Sequence, residues 1–427
     1  MMKIYDFDAV APSDVFDRDR GNQKLTIADT VAEILENVKN NGDAALYAYG
    51  EKFDKVKLSS LEVTEEEMEK AFSTIDPALL GTLQRAEENI RKFHQNQVRS
   101  GFIVTGERGI VMGQRVLPIE KVGIYVPGGT AAYPSTVLMN AVPAKIAGCK
   151  EIVMMTPPQK DGSVSPAILA AAKLAGVDRI FKTGGAQAIG ALAFGTESVP
   201  CVDKITGPGN AFVAEAKRQV FGRVAIDMIA GPSEILVVAD GKSDAHQVAA
   251  DLLSQAEHDR MAAAVLVTDS MILAKTVQQE IEAQLAVLPR EEIARTSIEN
   301  NGKIIVVGDL RKAIAVSNEI APEHLELCMD NPFDYLDQVK NAGSVFLGRS
   351  CPEALGDYMA GPNHTLPTSG TARFYSPLSV DDFVIKTQYT YYTADALEVY
   401  KDDIVRFARQ EGLEAHARSV LSRYQEA

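Results

Sequence analysis

Four of the six histidines in this chain stand near acidic or amide side chains, all in its C-terminal half. They are His258 in Gln255-Ala256-Glu257-His258, His324 directly after Glu323, His364 beyond Asp357, and His416 beyond Glu411. Imidazole is the commonest metal ligand and titrates near neutral pH, so such groupings serve metal binding or proton transfer better than core packing. Gln255 and His258 are three apart near the end of a predicted helix, which puts both on one face and able to grip one ion. An exposed polar helix end is the plainer alternative. Glu323-His324 follows Pro322 where a strand begins, a pairing suited to general acid–base work or else a surface pair. Asp357 and His364 flank a stretch too rich in Gly and Pro for a helix, and loops on rigid scaffolds commonly carry function. Glu411 and His416 would point roughly 140° apart on one ideal helix, so a shared site needs the break that Gly412 can supply. Without it they belong to a solvated terminal helix. Together these side chains offer N and O donors without thiolate, a set that suits Zn²⁺, Mn²⁺ or Co²⁺. His94 and His246, inside predicted helices, are assigned to solvated faces.

These residues need a scaffold, and 427 residues are enough for two large domains or more. Apolar content of 46% and charged content of 24% are ordinary for a globular protein. A net charge of −15 argues against non-specific binding to nucleic acid or to an anionic membrane. The cysteines, Cys149, Cys201, Cys328 and Cys351, form no C-x-x-C pair, so neither a redox motif nor a thiolate zinc site is indicated. The N-terminal segment lacks the basic start and apolar core of a signal peptide, and no apolar run approaches the ~18 residues of a membrane span. The expectation is a soluble protein of a reducing compartment, most simply the cytoplasm.

Residues 1–100 read as mostly helical, with a helix over 29–49 ending at Gly50, a capped start at Thr64-Glu65-Glu66-Glu67 and a continuation over 77–94. From 119, β-branched runs alternate with Ala-rich helical stretches. Strands are predicted over 121–126, 151–156, 178–182 and 202–205, with helices over 136–148, 165–175, 186–194 and 211–220. A second series has strands over 234–238, 263–268, 303–307, 324–329 and 344–347. Its helices are 244–258, capped by Ser243, then one reaching about 288, then 310–319 and a short one from 332. Such alternation predicts parallel sheets covered by helices. The expected fold is therefore α/β, with two doubly wound (Rossmann-like) parallel-sheet domains at 119–233 and 234–348. A helical N-terminal region, 1–118, packs on them. Residues 349–427 form a loop-rich, then helical C-terminal extension that cannot make a core alone and must pack on the body or on a neighbouring subunit.

Glycine-rich turns follow strands of the first series at Val126-Pro127-Gly128-Gly129, Thr183-Gly184-Gly185 and Gly207-Pro208-Gly209-Asn210. Glycines at the carboxyl ends of parallel strands let a ligand approach backbone N–H groups and helix N-termini, the expected place for a nucleotide. No G-x-G-x-x-G fingerprint is present, and turn glycines of an α/β fold are the plainer reading for at least one of them. Ser233 and Glu234, entering the second series, either point into a cleft between the domains or merely connect the sheets.

The segments GIYVPGG at 123–129, GGAQAI at 184–189, GPGNAFVAEAKR at 207–218, IDMIAGPSEILVVAD at 226–240 and LLSQAEHD at 252–259 are followed by APEHLEL at 321–327, GDYMAGPNHTLPTSGTARF at 356–374 and EGLEAHA at 411–417. In this order and combination the chain resembles the histidinol dehydrogenases, from about 120 to its end. The N-terminal hundred residues carry little of the signature. The resemblance implies NAD-dependent oxidation of L-histidinol to L-histidine through L-histidinal, with two NAD reduced, the closing reaction of histidine biosynthesis. It further implies a zinc-dependent, intertwined homodimer whose C-terminal segment reaches into the partner's site; the acidic charge and the lack of a long apolar run add the expectation of no nucleic-acid or membrane partner.

Position by position, the resemblance implies zinc binding by Gln255, His258, Asp357 and His416, the last from the other subunit. Ser233, His364 and Glu411 would contact substrate, together with His324 and the zinc ligands. Glu323 and His324 would be the acid–base pair, and Tyr125, Gln187 and Asn210 would bind NAD. The absent dinucleotide fingerprint is a feature the family shares. On the residues alone, a zinc hydrolase using the same His/Glu set and a non-catalytic metal- or nucleotide-binding scaffold stay open. A covalent route through Cys149 or Cys201 lacks a neighbouring histidine to activate the thiol.

Overall fold

The structure, a computed structural model, describes residues 1–16, 24–128 and 132–424. Gly129 of the first glycine turn lies outside the described residues. Strands are β1 (Lys3–Asp6), β2 (Phe102–Thr105), β3 (Val111–Pro118), β4 (Lys121–Tyr125), β5 (Glu151–Thr156), β6 (Arg179–Lys182) and β7 (Lys204–Thr206). They continue as β8 (Ala225–Ile226), β9 (Glu234–Ala239), β10 (Ala263–Thr268), β11 (Lys303–Val306), β12 (His324–Cys328), β13 (Ser344–Leu347) and β14 (Val384–Tyr391). The chain divides into two compact units, Met1–Gln97 with Ile119–Phe383, and Val98–Pro118 with Val384–Ala427.

The larger unit holds two parallel sheets, ordered β6-β5-β4-β7-β8 and β1-β11-β10-β9-β12-β13. Their inner strands are apolar runs because helices cover both faces and both sets of side chains are buried. The period of two shows in the cores. Val122, Ile124, Ile152 and Met154 point into one cluster; Tyr125, Val153 and Met155, one residue out of step, point into another. In the second sheet Ile235, Val237, Ala264 and Leu266 face one core, and Leu236, Val238, Val265 and Val267 the other.

Both sheets are doubly wound in the same order. The first strand, β4 or β9, is central, the next two add on one side and the following two on the other. The crossovers diverge between β4 and β7 and between β9 and β12, and the carboxyl ends at such a point are where a ligand crevice is expected. In the five-stranded sheet that edge carries Tyr125 and the turns at Gly184-Gly185 and Gly207–Asn210. In the six-stranded sheet it is filled. Arg349 donates to both carboxylate oxygens of Asp240 at 2.6 Å, the Asp330 N–H reaches Asp240 at 3.2 Å, and the Ser243 hydroxyl donates to the Cys328 carbonyl at 2.6 Å. The sequence-predicted acid–base pair lies at the opposite, amino end, where β12 starts.

The structure corrects several local expectations. Residues 98–118 hold no α-helix, only a 3-10 turn at Glu107–Gly109; β2 and β3 join β14 in an antiparallel sheet in the smaller unit. Most of β14 is exposed, so its alternation is weak, and its partner strand is remote in sequence. β1, only four residues long, adds to the edge of the six-stranded sheet beside β11. The cap of the helix Ala245–Ala256 is Asp244, which accepts the His246 N–H at 2.8 Å, because Ser243 is engaged by Cys328. The loop expected around Asp357 begins with a short helix, Glu353–Tyr358.

That short helix lies hard against β13. A Cβ on Gly356 would stand 2.4 Å from Cε1 of Phe346. Gly356→Ala should therefore lower stability by about 2 kcal/mol or more, instead of the gain of up to ~1 kcal/mol that Ala brings to an open helix site. A urea melt decides: an unfolding midpoint at or above that of the parent protein would contradict so tight a contact.

Candidate active site

Five buried residues make up β12, so whatever polar chemistry it carries is removed from water. The His324 and Glu323 side chains are 5% and 10% exposed. Both are held by the backbone of one residue of the neighbouring strand. The Glu234 N–H donates to Oε2 of Glu323 at 2.8 Å, and Nδ1 of His324 donates to the Glu234 carbonyl at 2.9 Å. With the proton on Nδ1, Nε2 keeps a free lone pair. It faces Glu353 Oε1 at 3.8 Å and Asp357 Oδ1 at 3.9 Å. Neither Nε2 of His324 nor Oε1 of Glu353 finds a hydrogen-bond partner among the described residues.

Glu353 and Asp357 share one face of the short helix because they are four apart. Ser254, on the helix Ala245–Ala256, donates to Oε2 of Glu353 at 3.1 Å. Behind them Oε1 of Glu326 accepts the Glu353 N–H at 2.7 Å, Cys328 Sγ donates to Glu326 at 3.6 Å, and Asp251 and Glu326 share a hydrogen bond. Glu326 and Cys328 follow His324 at every second position, hence on the same side of β12. This inner group ties three elements together and satisfies its own polar atoms.

Burial dominates the electrostatics. It pushes the Glu323 carboxyl well above the usual range, more than the Glu234 N–H offsets, and neighbouring carboxylates add to the rise. Burial, then the Glu353 charge, lifts Asp357 to about 8. His324 is lowered by burial against the pull of Glu353, and His364 is lowered to about 4. His364 donates from Nδ1 to the Asp357 carbonyl at 3.1 Å and lies 3.4 Å from Thr136 Oγ1 through Nε2. His258 lies near enough to His324 and His364 to act electrostatically on both.

The structure thus gathers His258, Glu323, His324, Asp357 and His364. Gln255, 1% exposed, is next to Ser254, and Ser233 immediately precedes Glu234. The helix ends at Ala256, so His258 reaches the site from the following turn, its N–H bonded to the Gln255 carbonyl at 3.2 Å, instead of from the helix face expected. Tyr125, Gln187 and Asn210 lie at the carboxyl end of the five-stranded sheet. The Tyr125 hydroxyl accepts the Gly185 N–H at 3.1 Å, Gln187 is buried, and Asn210 caps the helix Ala211–Val220 through its Oδ1, which leaves its amide N–H groups for a ligand. Glu411 and His416 belong to the smaller unit, where both are exposed; Gly412, at φ +75°, breaks the helix between them as expected.

Sequence reasoning missed Glu353 and Glu326. The spacing of Glu353 to Asp357 is a helical signal, hidden by the Gly and Pro residues that follow. His94, assigned to a solvated face, is instead fully buried, with Nδ1 2.7 Å from Gln97 and Nε2 3.5 Å from the amide of Asn363, the neighbour of His364. His246 is exposed, as expected. Burial pushes the Cys149 thiol up to about 11, which is the reverse of an activated nucleophile.

His364 supplies a pH test. Its folded value near 4 lies below the ordinary 6.5, so the unfolded chain binds the extra proton in that window. Its contribution is complete above pH 6.5 and is lost as pH falls towards 4. In metal-free protein, going from pH 7 to pH 5 should cost roughly 2 kcal/mol through this group, and His364→Gln should flatten that loss. Asp357, raised, acts with the opposite sign in both proteins and cancels in the comparison. Equal acid sensitivity of the two proteins in denaturant melts would contradict the burial of a neutral imidazole.

Comparison with known proteins agrees along the chain. A family model described as histidinol dehydrogenase matches residues 17–424. The histidinol dehydrogenase of Clostridium acetobutylicum is 57% identical over 405 residues, covering 95% of this chain and 94% of the relative. That of Lactiplantibacillus plantarum is 55% identical over 400 residues, covering 94% and 93%. The crystal structure of histidinol dehydrogenase from Elizabethkingia anophelis superimposes with a TM-score of 0.93 at 41% identity, over 99% of this chain and 98% of that one. Sequence and fold together place this chain in the histidinol dehydrogenase family of oxidoreductases.

Proposed function

We propose that the protein oxidises L-histidinol to L-histidine through L-histidinal with two NAD, as the last step of histidine biosynthesis and as a zinc-dependent cytoplasmic homodimer. The observation that carries this reading is the buried His324, whose Nδ1 is spent on the Glu234 carbonyl and whose Nε2 faces two carboxylates. Such an imidazole takes a proton from an alcohol at Nε2, and Glu353 stabilises the cation that results. Glu323, held by the Glu234 N–H and raised by burial, has the proton affinity needed to draw a proton from water attacking the aldehyde. His324 then serves again in the second oxidation. NAD, when bound, accepts the hydride of each oxidation, and Tyr125, Gln187 and Asn210 are the residues that would hold it.

The side chains fit a divalent cation. They are N and O donors without thiolate, and two of the buried atoms that lack partners among the described residues, on His324 and Glu353, belong to one cluster with Asp357. Gln255, His258 and Asp357 would hold zinc, with His416 of the partner subunit. Zinc, when bound, supplies a fixed positive centre that orients the imidazole and amine of histidinol. Ser233, His364 and Glu411 would contact the substrate, Glu411 also from the partner. The exposure of Glu411 and His416 in the single chain supports their delivery to a second copy. Residues 119–233 would be the NAD side and 234–348 the acid–base side, with 1–118 packing on this core and 349–427 reaching the partner. The four free cysteines agree with a reducing compartment. A metal hydrolase would need no dinucleotide site, and turnover without NAD separates the two readings.

The primary assay is NADH formed per histidinol consumed on zinc-loaded protein with excess NAD. A ratio near two is expected; a ratio near one would remove Glu323 from its role, and no NADH would return the hydrolase reading. Glu323→Gln should slow the aldehyde half-reaction by roughly 10²-fold or more and the alcohol half-reaction far less; equal losses would contradict the division of labour. His416→Asn should release zinc on dialysis, and unchanged metal content would sink its assignment as a ligand.

A further inference from the structure

We infer that the buried ion pair of Lys217 and Asp227 is a positioning clamp for the turn Gly207-Pro208-Gly209-Asn210 and thereby sets the affinity for NAD; this rests on the assignment of Tyr125, Gln187 and Asn210 to the nucleotide. The two side chains are 2% and 0% exposed and in direct contact. A buried pair often returns no more than it costs in desolvation, so its presence calls for a reason beyond stability. The reason lies in what else the pair holds. Oδ2 of Asp227 accepts the Gly207 N–H at 2.8 Å, and Nζ of Lys217 donates to the Gly207 carbonyl at 3.0 Å. The two ends of one ion pair thus grip the two polar groups of one glycine backbone.

That glycine sets the place of the turn. Gly207 has φ +109°, a conformation open to glycine, and a Cβ there would meet the Tyr125 carbonyl oxygen at 2.2 Å. The start of the turn is therefore pressed against the end of β4, beside the residue whose hydroxyl binds Gly185. Asn210 caps the helix Ala211–Val220, and Lys217 lies on that same helix two turns further on, so the helix leaves the turn and sends a charge back to its beginning. Asp227 comes from beyond β8, with its own N–H on the Ile205 carbonyl of β7 at 3.2 Å and its Oδ1 accepting the Met228 N–H at 2.6 Å. Three chain segments converge on Gly207. The turn cannot shift without stranding a buried charge, so its ordering cost is met at folding and not when a ligand arrives.

The double variant K217M/D227N tests this, since it removes both charges together and leaves an amide oxygen to accept the Gly207 N–H. Loss of the charged donor to the Gly207 carbonyl should raise Kd for NAD, read by calorimetry, and KM for NAD by about tenfold. Most of the loss should fall there and not on kcat or on KM for histidinol, and amide exchange at Gly207 should quicken. An unchanged Kd, or an equal change in both KM values that merely tracks a lower Tm, overturns the clamp. If K217M/D227N does not fold, K217Q/D227N, which also removes both charges and keeps a neutral donor on the side of the Gly207 carbonyl, carries the same test with a smaller expected rise. Asn210→Ala is measured beside it. If Asn210→Ala raises Kd and the clamp variants do not, the clamp alone fails; if Asn210→Ala changes nothing, the nucleotide assignment fails and the clamp with it.

Discussion

The acid–base pair of the candidate site depends on how one backbone residue is used. The N–H and the carbonyl of Glu234 are not available to water; they hold the carboxyl of Glu323 and the imidazole of His324. Because β9 and β12 are hydrogen-bonded neighbours in register, with His324 opposite Ile235, the two side chains are positioned by the sheet itself and not by a loop. Backbone bonds of this kind settle the tautomer of His324 and orient Glu323 while leaving Nε2 open. A site placed on strands keeps tighter geometry than one placed on loops.

The same burial that fixes the geometry tunes the chemistry. Low polarity disfavours charge, so the carboxyls of Glu323 and Asp357 are raised and the imidazoles of His324 and His364 are lowered. For Asp357, raised to about 8, and His364, lowered to about 4, burial inverts the order the two groups have in water. Glu326 and Asp251 extend this tuning behind the site, where burial and the neighbouring Asp251 charge raise Glu326 and the two carboxyls share a hydrogen bond. Their role is mechanical: Glu326 holds the backbone of Glu353, and so keeps the short helix against β12.

Two sheets that share one winding order, the second with β1 added at its edge, are used at opposite ends. In the five-stranded sheet the carboxyl edge carries glycine turns and a tyrosine, as parallel-sheet topology favours. In the six-stranded sheet that edge is closed by Asp240 and Arg349, and the ionisable groups gather at the amino edge. Topology determines where crevices form; side chains decide which of them stays open.

The βα alternation from 119 to 347 was legible because buried parallel strands are continuous apolar runs and their helices are Ala-rich, both local signals. The sequence by itself also determined which residue types meet the needs of metal and proton chemistry, and the ordered motifs determined the family. It did not reveal β2, β3 and β14, of which β2 and β14 are largely exposed and the β3–β14 pairing is non-local, nor the burial of His94, which depends on Asn363 far along the chain. Glu353 stayed hidden for the same reason. Its importance appears only when a short helix docks on a strand and leaves one oxygen of its carboxylate, Oε1, without a hydrogen-bond partner beside His324. Residue identity is written in the chain, but burial, tautomer and proton affinity are properties of what surrounds a residue, and packing between distant segments alone decides them.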